Sequence, residues 1–152
     1  MKLQSYVAAE LTWVMDGAGS CEALLAELAE RIAQTVGGDA AALLAALTAR
    51  ERQRPTSTPE GVAFPHAIAE GVTESHVAVV LLGEAVEFDT VRHERCDVVF
   101  VLVGPPDAGW LHVRTLARLA RICHAGGADR LRLATDDADL YRLLIEEDQR
   151  HV

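Results

Sequence analysis

At 152 residues, half of them apolar and 24% charged, the chain can bury a core of its own and is too hydrophobic for the disordered class. A formal charge of −9 excludes the basic footprint that nucleic-acid phosphates demand, and no apolar run approaches the roughly 20 residues that span a bilayer. The first residues lack the basic region and apolar stretch of a secretory leader, and Cys21, Cys96 and Cys123 are odd in number and widely spaced, so the chain reads as a cytoplasmic protein with reduced core thiols and without a disulfide framework or zinc knuckle.

Residues 1–10 carry no assignable pattern. Leu11-Thr12-Trp13-Val14 is a short β-prone run closed by Asp16-Gly17 and Gly19. Ser20 then caps a helix whose Leu24, Leu25, Leu28, Ile32 and Val36 recur at helical spacing, and Gly37-Gly38 ends it. Asp39 caps a second helix with Leu43, Leu44 and Leu47 on one face, running into Arg50-Glu51-Arg52-Gln53-Arg54 and Pro55. Pro55 and Pro59 forbid helix, so Pro55 to Gly61 is a loop, followed by the apolar run Val62-Ala63-Phe64 that Pro65 ends or turns.

His76 to Leu82 and Asp97 to Val103 are continuous β-branched runs, the pattern of strands buried on both faces, with the shorter run Ala85 to Phe88 between them. Gly104-Pro105-Pro106 stops the second long strand. A helix follows through Leu111, Leu116, Leu119, Ala120 and Ile122 to about Gly126-Gly127, then a short Arg130 to Leu133 segment. Thr135-Asp136-Asp137 caps a last helix with Leu140, Leu144 and Ile145 inward, and Glu146-Glu147-Asp148 reads as a solvated, fraying end. The order predicts one α/β domain over 1–152, a mixed β-sheet sandwiched by helices.

Two of the six histidines occupy positions a site would choose. His66 follows a strand-like run and a proline that fixes the backbone. His112 opens a helix just beyond a buried strand, and strand ends are where α/β proteins put ligands. A neutral imidazole is a competent nucleophile near pH 7 and takes a phosphoryl group if charge on the phosphate oxygens is stabilised. Arg50, ending the second helix, offers the fork for that. Each residue also has a plain structural reading: Arg50 as a cation at a helix C-terminus, His112 as a helix-start residue bonded to backbone, Thr56 in a side-chain turn. HExxH, GxSxG and GxxxxGKS/T are absent, and no acids flank the histidines at metal-ligand spacing.

Taken together, Arg50-Glu51, the loop from Thr56 to Gly61, Ala63-Phe64-Pro65-His66 and Leu111-His112-Val113-Arg114-Thr115-Leu116 resemble, in order and spacing, the fructose, mannitol and nitrogen-regulatory class of IIA domains of the bacterial phosphoenolpyruvate-dependent phosphotransferase system. Val86-Glu87-Phe88-Asp89, the strand ending at Pro105 and Asp139-Leu140-Tyr141 extend the likeness over nearly the whole chain. The resemblance implies the mannitol-type IIA fold, with His66 accepting a phosphoryl group from an HPr-like phosphocarrier, His112 and Arg50 stabilising it, and Thr56 and Gly61 in the phosphate loop. It implies no metal and no cofactor. No fused IIB or IIC segment is present, so the expected role is nitrogen-regulatory-like, or transfer to a separate sugar-permease IIB component; the alternative is a non-catalytic regulatory binding module with the same fold. Where that family has Gly-x-Gly before the strand, this chain reads Ser57-Thr58-Pro59-Glu60-Gly61, and Ala117 replaces a common serine. A proline without N–H and an added acid predict a poorer backbone cradle for phosphate.

Overall fold

The computed structural model describes residues 2–151; Met1 and Val152, the ends of the expected domain, lie outside the described residues. Two 3-10 turns, Leu3–Ser5 and Ala9–Leu11, lead into β1 (Thr12–Met15). Helix α1 (Cys21–Val36) begins where the Ser20 hydroxyl accepts the Ala23 N–H, a cap worth about 1 kcal/mol, and ends at Gly37, whose φ of 86° suits only a residue without Cβ. Helix α2 (Ala40–Gln53) repeats the device, with the Asp39 carboxylate accepting the Ala41 N–H. Then come β2 (Val62–Ala63), β3 (His66–Ile68), β4 (His76–Asp89), β5 (Glu94–Gly104), α3 (Gly109–Ile122), α4 (Ala128–Leu131) and α5 (Asp137–Arg150).

The sheet runs β1-β4-β5-β2, with β3 also on β5; β4 and β5 are antiparallel and the other pairings parallel. Because side chains alternate across a strand, the two long apolar runs serve two cores. Ala78, Val80, Leu82, Val99, Val101 and Val103 face α1 and α2, joining Leu24, Leu28, Ile32, Leu43 and Leu47. Val77, Val79, Leu81, Val98, Phe100 and Leu102 face the other way, joining Leu119, Ile122, Leu131, Leu140 and Leu144. The expected sheet between helices is therefore the fold observed.

Four local readings change. The runs His76 to Leu82 and Ala85 to Phe88 form one 14-residue strand: pairing with β5 shifts register between Leu81 and Val86, and the Glu84 N–H bonds the Asp16 carbonyl across the irregularity. Beyond Pro65 the chain returns to the sheet as β3, in the register β2 began, with Val62 opposite Val98 and His66 opposite Leu102. Arg130-Leu131 belongs to a helical turn, after a wide turn at Cys123–Gly127 in which Gly126 sits at φ 93°.

The fourth change is at Glu147 and Asp148, which are 1% and 2% exposed rather than solvated. Asp148 takes Arg118 Nε at 2.7 Å and the Leu3 N–H at 2.8 Å, while Glu147 pairs with Arg130. Their partners come from α3, from α4 and from the first 3-10 turn, distances along the chain at which local pattern is silent. A buried charge must be paired, and these are.

Candidate functional site

His66, Arg50 and His112 come together where β3 begins, near the C-terminal end of β5. β3 lies against α2, which brings the last full turn of that helix, and Arg50 with it, over the His66 ring. Arg50 Nε donates to His66 Nε2 at 3.1 Å, and its Nη1 donates to the Arg54 carbonyl at 2.9 Å. The second bond satisfies a carbonyl at the helix end, so the structural reading of Arg50 and its place in the site hold at once.

The other ring nitrogen fixes the chemistry. His66 Nδ1 lies 2.9 Å from the Phe64 carbonyl oxygen, which can only accept. Nδ1 therefore carries the hydrogen, and Nε2 presents its lone pair toward Arg50. An imidazole in this tautomer has one nucleophilic nitrogen, and a guanidinium stands where negative charge would develop on an incoming group.

His112 stands edge-on to His66, with ring centroids 6.5 Å apart and planes at 84°. It lies in the first turn of α3, where its N–H bonds the Ala108 carbonyl, and only 6% of it is exposed. Among the described residues its Nε2 is the buried side-chain nitrogen or oxygen that finds no hydrogen-bond partner. An orphan of this kind costs about 1–3 kcal/mol and calls for an explanation beyond packing. Burial pulls the His112 imidazole below its ordinary value, the facing His66 ring adds to this, and the Val103 carbonyl opposes it. Near pH 7 the ring is neutral.

Gly104 and Ser75 belong to this corner, and sequence reasoning missed both. A Cβ on Gly104 would stand 2.7 Å from His112 Nε2 and 2.9 Å from Ser75 Oγ, so only glycine leaves room for the ring. The signal lay in Gly104-Pro105-Pro106, which reads as a strand stop unless one knows which ring packs on it.

Thr56 and Gly61 separate. Thr56 is close behind the site: its hydroxyl oxygen accepts the Phe64 N–H at 3.2 Å, and its own donors are given to Glu51. Gly61 is not near the ring. It precedes β2, five residues before His66 and about 16 Å back along the strand, with Arg132 Nη2 where its Cβ would be. The loop tip at Pro59 and Glu60 goes with it, since the Glu60 carbonyl accepts from Arg132. The expectation that Pro59 and Glu60 weaken a cradle at the phosphoryl site is therefore corrected: parallel pairing of β2 and β3 along β5 puts that loop at the far end. Ala117 is exposed and, five residues on, about 140° around α3 from His112.

The cysteines play no part in this chemistry. Burial pushes the thiols of Cys21, Cys96 and Cys123 up to about 12, so none is an anion near neutral pH. Among the described residues no three His, Cys, Asp or Glu side chains converge to hold a metal ion, and no helix is long and apolar enough to cross a membrane. A cavity of about 840 Å³ lies not over His66 but between the start of α1, the end of α2 and β4, with Glu51 in its wall.

This fold and this pair of rings define a class. The chain belongs to the family described as phosphoenolpyruvate-dependent sugar phosphotransferase system, EIIA 2, whose model matches residues 5–147. Among curated relatives it is 31% identical over 121 residues to the nitrogen regulatory protein of Bradyrhizobium diazoefficiens, covering 79% of each chain. Among solved structures it is similar to the nitrogen regulatory protein IIA-Ntr of Neisseria meningitidis, with a TM-score of 0.82, 24% identity and coverage of 92% of this chain and 97% of that one. It also resembles the mannitol IIA enzyme of Escherichia coli solved in complex with its phosphorylated IIB enzyme, with a TM-score of 0.73, 19% identity and coverage of 91% and 96%.

Proposed function

We propose that this IIA protein takes a phosphoryl group onto His66 Nε2 from the phosphohistidine of an HPr-like carrier, and that the phosphorylated state serves a nitrogen-regulatory-like role or feeds a separate IIB component. The observation that carries the reading is the pair of bonds on one ring: Phe64 carbonyl on Nδ1 and Arg50 on Nε2. In the step, the Nε2 lone pair forms the N–P bond while the carrier's N–P bond breaks and its electron pair returns to the carrier imidazole. The hydrogen stays on Nδ1, donated to the Phe64 carbonyl, and the guanidinium passes from Nε2 to the phosphoryl oxygens. The His112 ring, its centroid 6.5 Å from that of His66 and neutral at the outset, gains a reason to hold a proton once a phosphoryl dianion arrives beside it.

The surroundings favour a protein donor over a small one. Trp110 is 64% exposed with Arg114 stacked over it, and Val113 and Ile68 are also exposed, so exposed apolar and basic side chains lie within two residues of one or other histidine on an otherwise acidic protein. Incubation with phosphoenolpyruvate, enzyme I and the carrier should add one acid-labile phosphate per chain, seen by mass, and His66→Ala should remove it. Failure of the wild type to label with any cognate carrier sinks the proposal. The regulatory alternative parts company here: partners captured equally by wild type and His66→Ala would favour a module that does not need the phosphoryl group.

A further inference from the structure

The loop behind His66 is anchored by the residue next to Arg50. Glu51 is 9% exposed, and its carboxylate accepts both the Thr56 N–H at 2.7 Å and the Thr56 hydroxyl at 2.8 Å. A carboxylate only accepts, so the hydroxyl hydrogen must point at Glu51. Its oxygen is then left to accept the Phe64 N–H, at 3.2 Å, a hydrogen also shared with the Thr56 carbonyl. Phe64 presents its own carbonyl to His66 Nδ1, and Pro65 fixes the peptide that carries that carbonyl. Arg50 and Glu51 are neighbours in α2, so the bonds close a ring: Arg50 reaches Nε2 directly, and Glu51 reaches Nδ1 through Thr56 and Phe64.

We infer that Glu51, acting through Thr56, is a positioning residue that holds His66 as the Nδ1–H tautomer with Nε2 directed at the incoming phosphoryl group. The inference rests on the reading of His66 as acceptor. The negative charge of Glu51 sets the direction of the one bond in the chain that could run either way, the Thr56 hydroxyl's. An amide in its place lets the Thr56 hydroxyl turn around, leaves the Phe64 N–H only the Thr56 carbonyl, and loosens the carbonyl beyond it. The ring then samples the other tautomer, in which Nε2 carries the hydrogen and cannot attack.

The test uses the full chain with Glu51→Gln, Thr56→Val and the conservative Thr56→Ser. Ring nitrogen shifts of unphosphorylated, ¹⁵N-histidine-labelled protein, recorded above the imidazole titration range, report the tautomer directly. Wild type and Thr56→Ser should show His66 as one Nδ1–H species, whereas Glu51→Gln and Thr56→Val should show a mixture. Transfer from the phosphorylated carrier should slow by about ten- to a hundredfold in the latter two, with the carrier concentration for half-maximal rate unchanged. An unaltered His66 tautomer in folded Glu51→Gln or Thr56→Val overturns the inference, whatever happens to the rate, because a purely structural role would lower stability and leave the ring as it was. Should Thr56→Val fail to fold, Glu51→Gln decides alone. A wild type that keeps the tautomer, loses it in Glu51→Gln and never labels would support the clamp and reject the acceptor reading, so the two fail separately.

Discussion

At the residue scale the site depends on which atom donates and which accepts. While both bonds are made, a histidine between a carbonyl and a guanidinium is held to one tautomer, because one partner cannot donate and the other cannot accept. On the proposed reading the same bond would keep Nδ1 protonated after phosphorylation, so that the ring would leave as neutral imidazole in onward transfer. His112 adds a pH signature. Unphosphorylated and folded, it refuses a proton that the unfolded chain accepts near pH 6.5, so stability from the neutral ring is full above that pH and declines as pH falls below it. A phosphoryl dianion beside it reverses the sign. The His112 titration midpoint, followed by ring proton shifts, should rise by about one unit or more on phosphorylation; a fall or no change would place the phosphate elsewhere.

At the scale of elements, two helix ends matter. The last turn of α2 delivers Arg50 and Glu51 to opposite sides of one ring, which follows from their adjacency in sequence: neighbours lie about 100° apart around a helix, wide enough to grip His66 and Thr56 at once. The last turn of α5 is a tie rather than a frayed end. Asp148 joins Arg118 of α3 and the first 3-10 turn, and Arg118 also donates to the His151 and Asp148 carbonyls. Removing one partner of a buried pair leaves the other charge desolvated and unpaired. Arg118→Met should therefore cost about 3–5 kcal/mol, read as a lower urea midpoint, and should leave His66 labelling intact at temperatures where the variant is folded.

At the scale of the whole molecule, β4 and β5 belong to both cores, so neither face can melt alone. Phe100 is fully buried toward α3 to α5, where it stacks on Phe64 at 5.7 Å, while Trp13 packs against the core on the other face of the sheet. Phe100→Ala should cost about 3–5 kcal/mol, and Trp13 fluorescence should report the full loss in the same transition as circular dichroism. Two separated transitions would mean that the faces unfold independently. Phe64 links this core to the His66 ring, because its side chain is in the stack and its carbonyl is on His66. The site is thus held from inside the sheet as well as from the loop.

By itself the sequence determined the elements and the chemistry at hand. Ser20, Asp39 and Asp136 are helix caps because short polar side chains satisfy N–H groups a few residues away, and the two β-branched runs are central strands because both their faces are apolar. Pro65-His66, Arg50 and His112 mark a candidate phosphoryl site by residue type, and the family by their order. Only the tertiary structure decided which residues meet. Continuous register along β5 carried Gly61 and the Pro59-Glu60 tip away from His66, and packing of α3 against the strand end made Gly104 indispensable to His112. Pairing across the fold turned Glu147 and Asp148 from surface acids into buried anchors, and folded Glu51 back onto Thr56. Caps and strand faces are set by neighbours within a turn or two of the chain, whereas burial, charge pairing and ring orientation are set by atoms that only folding brings close.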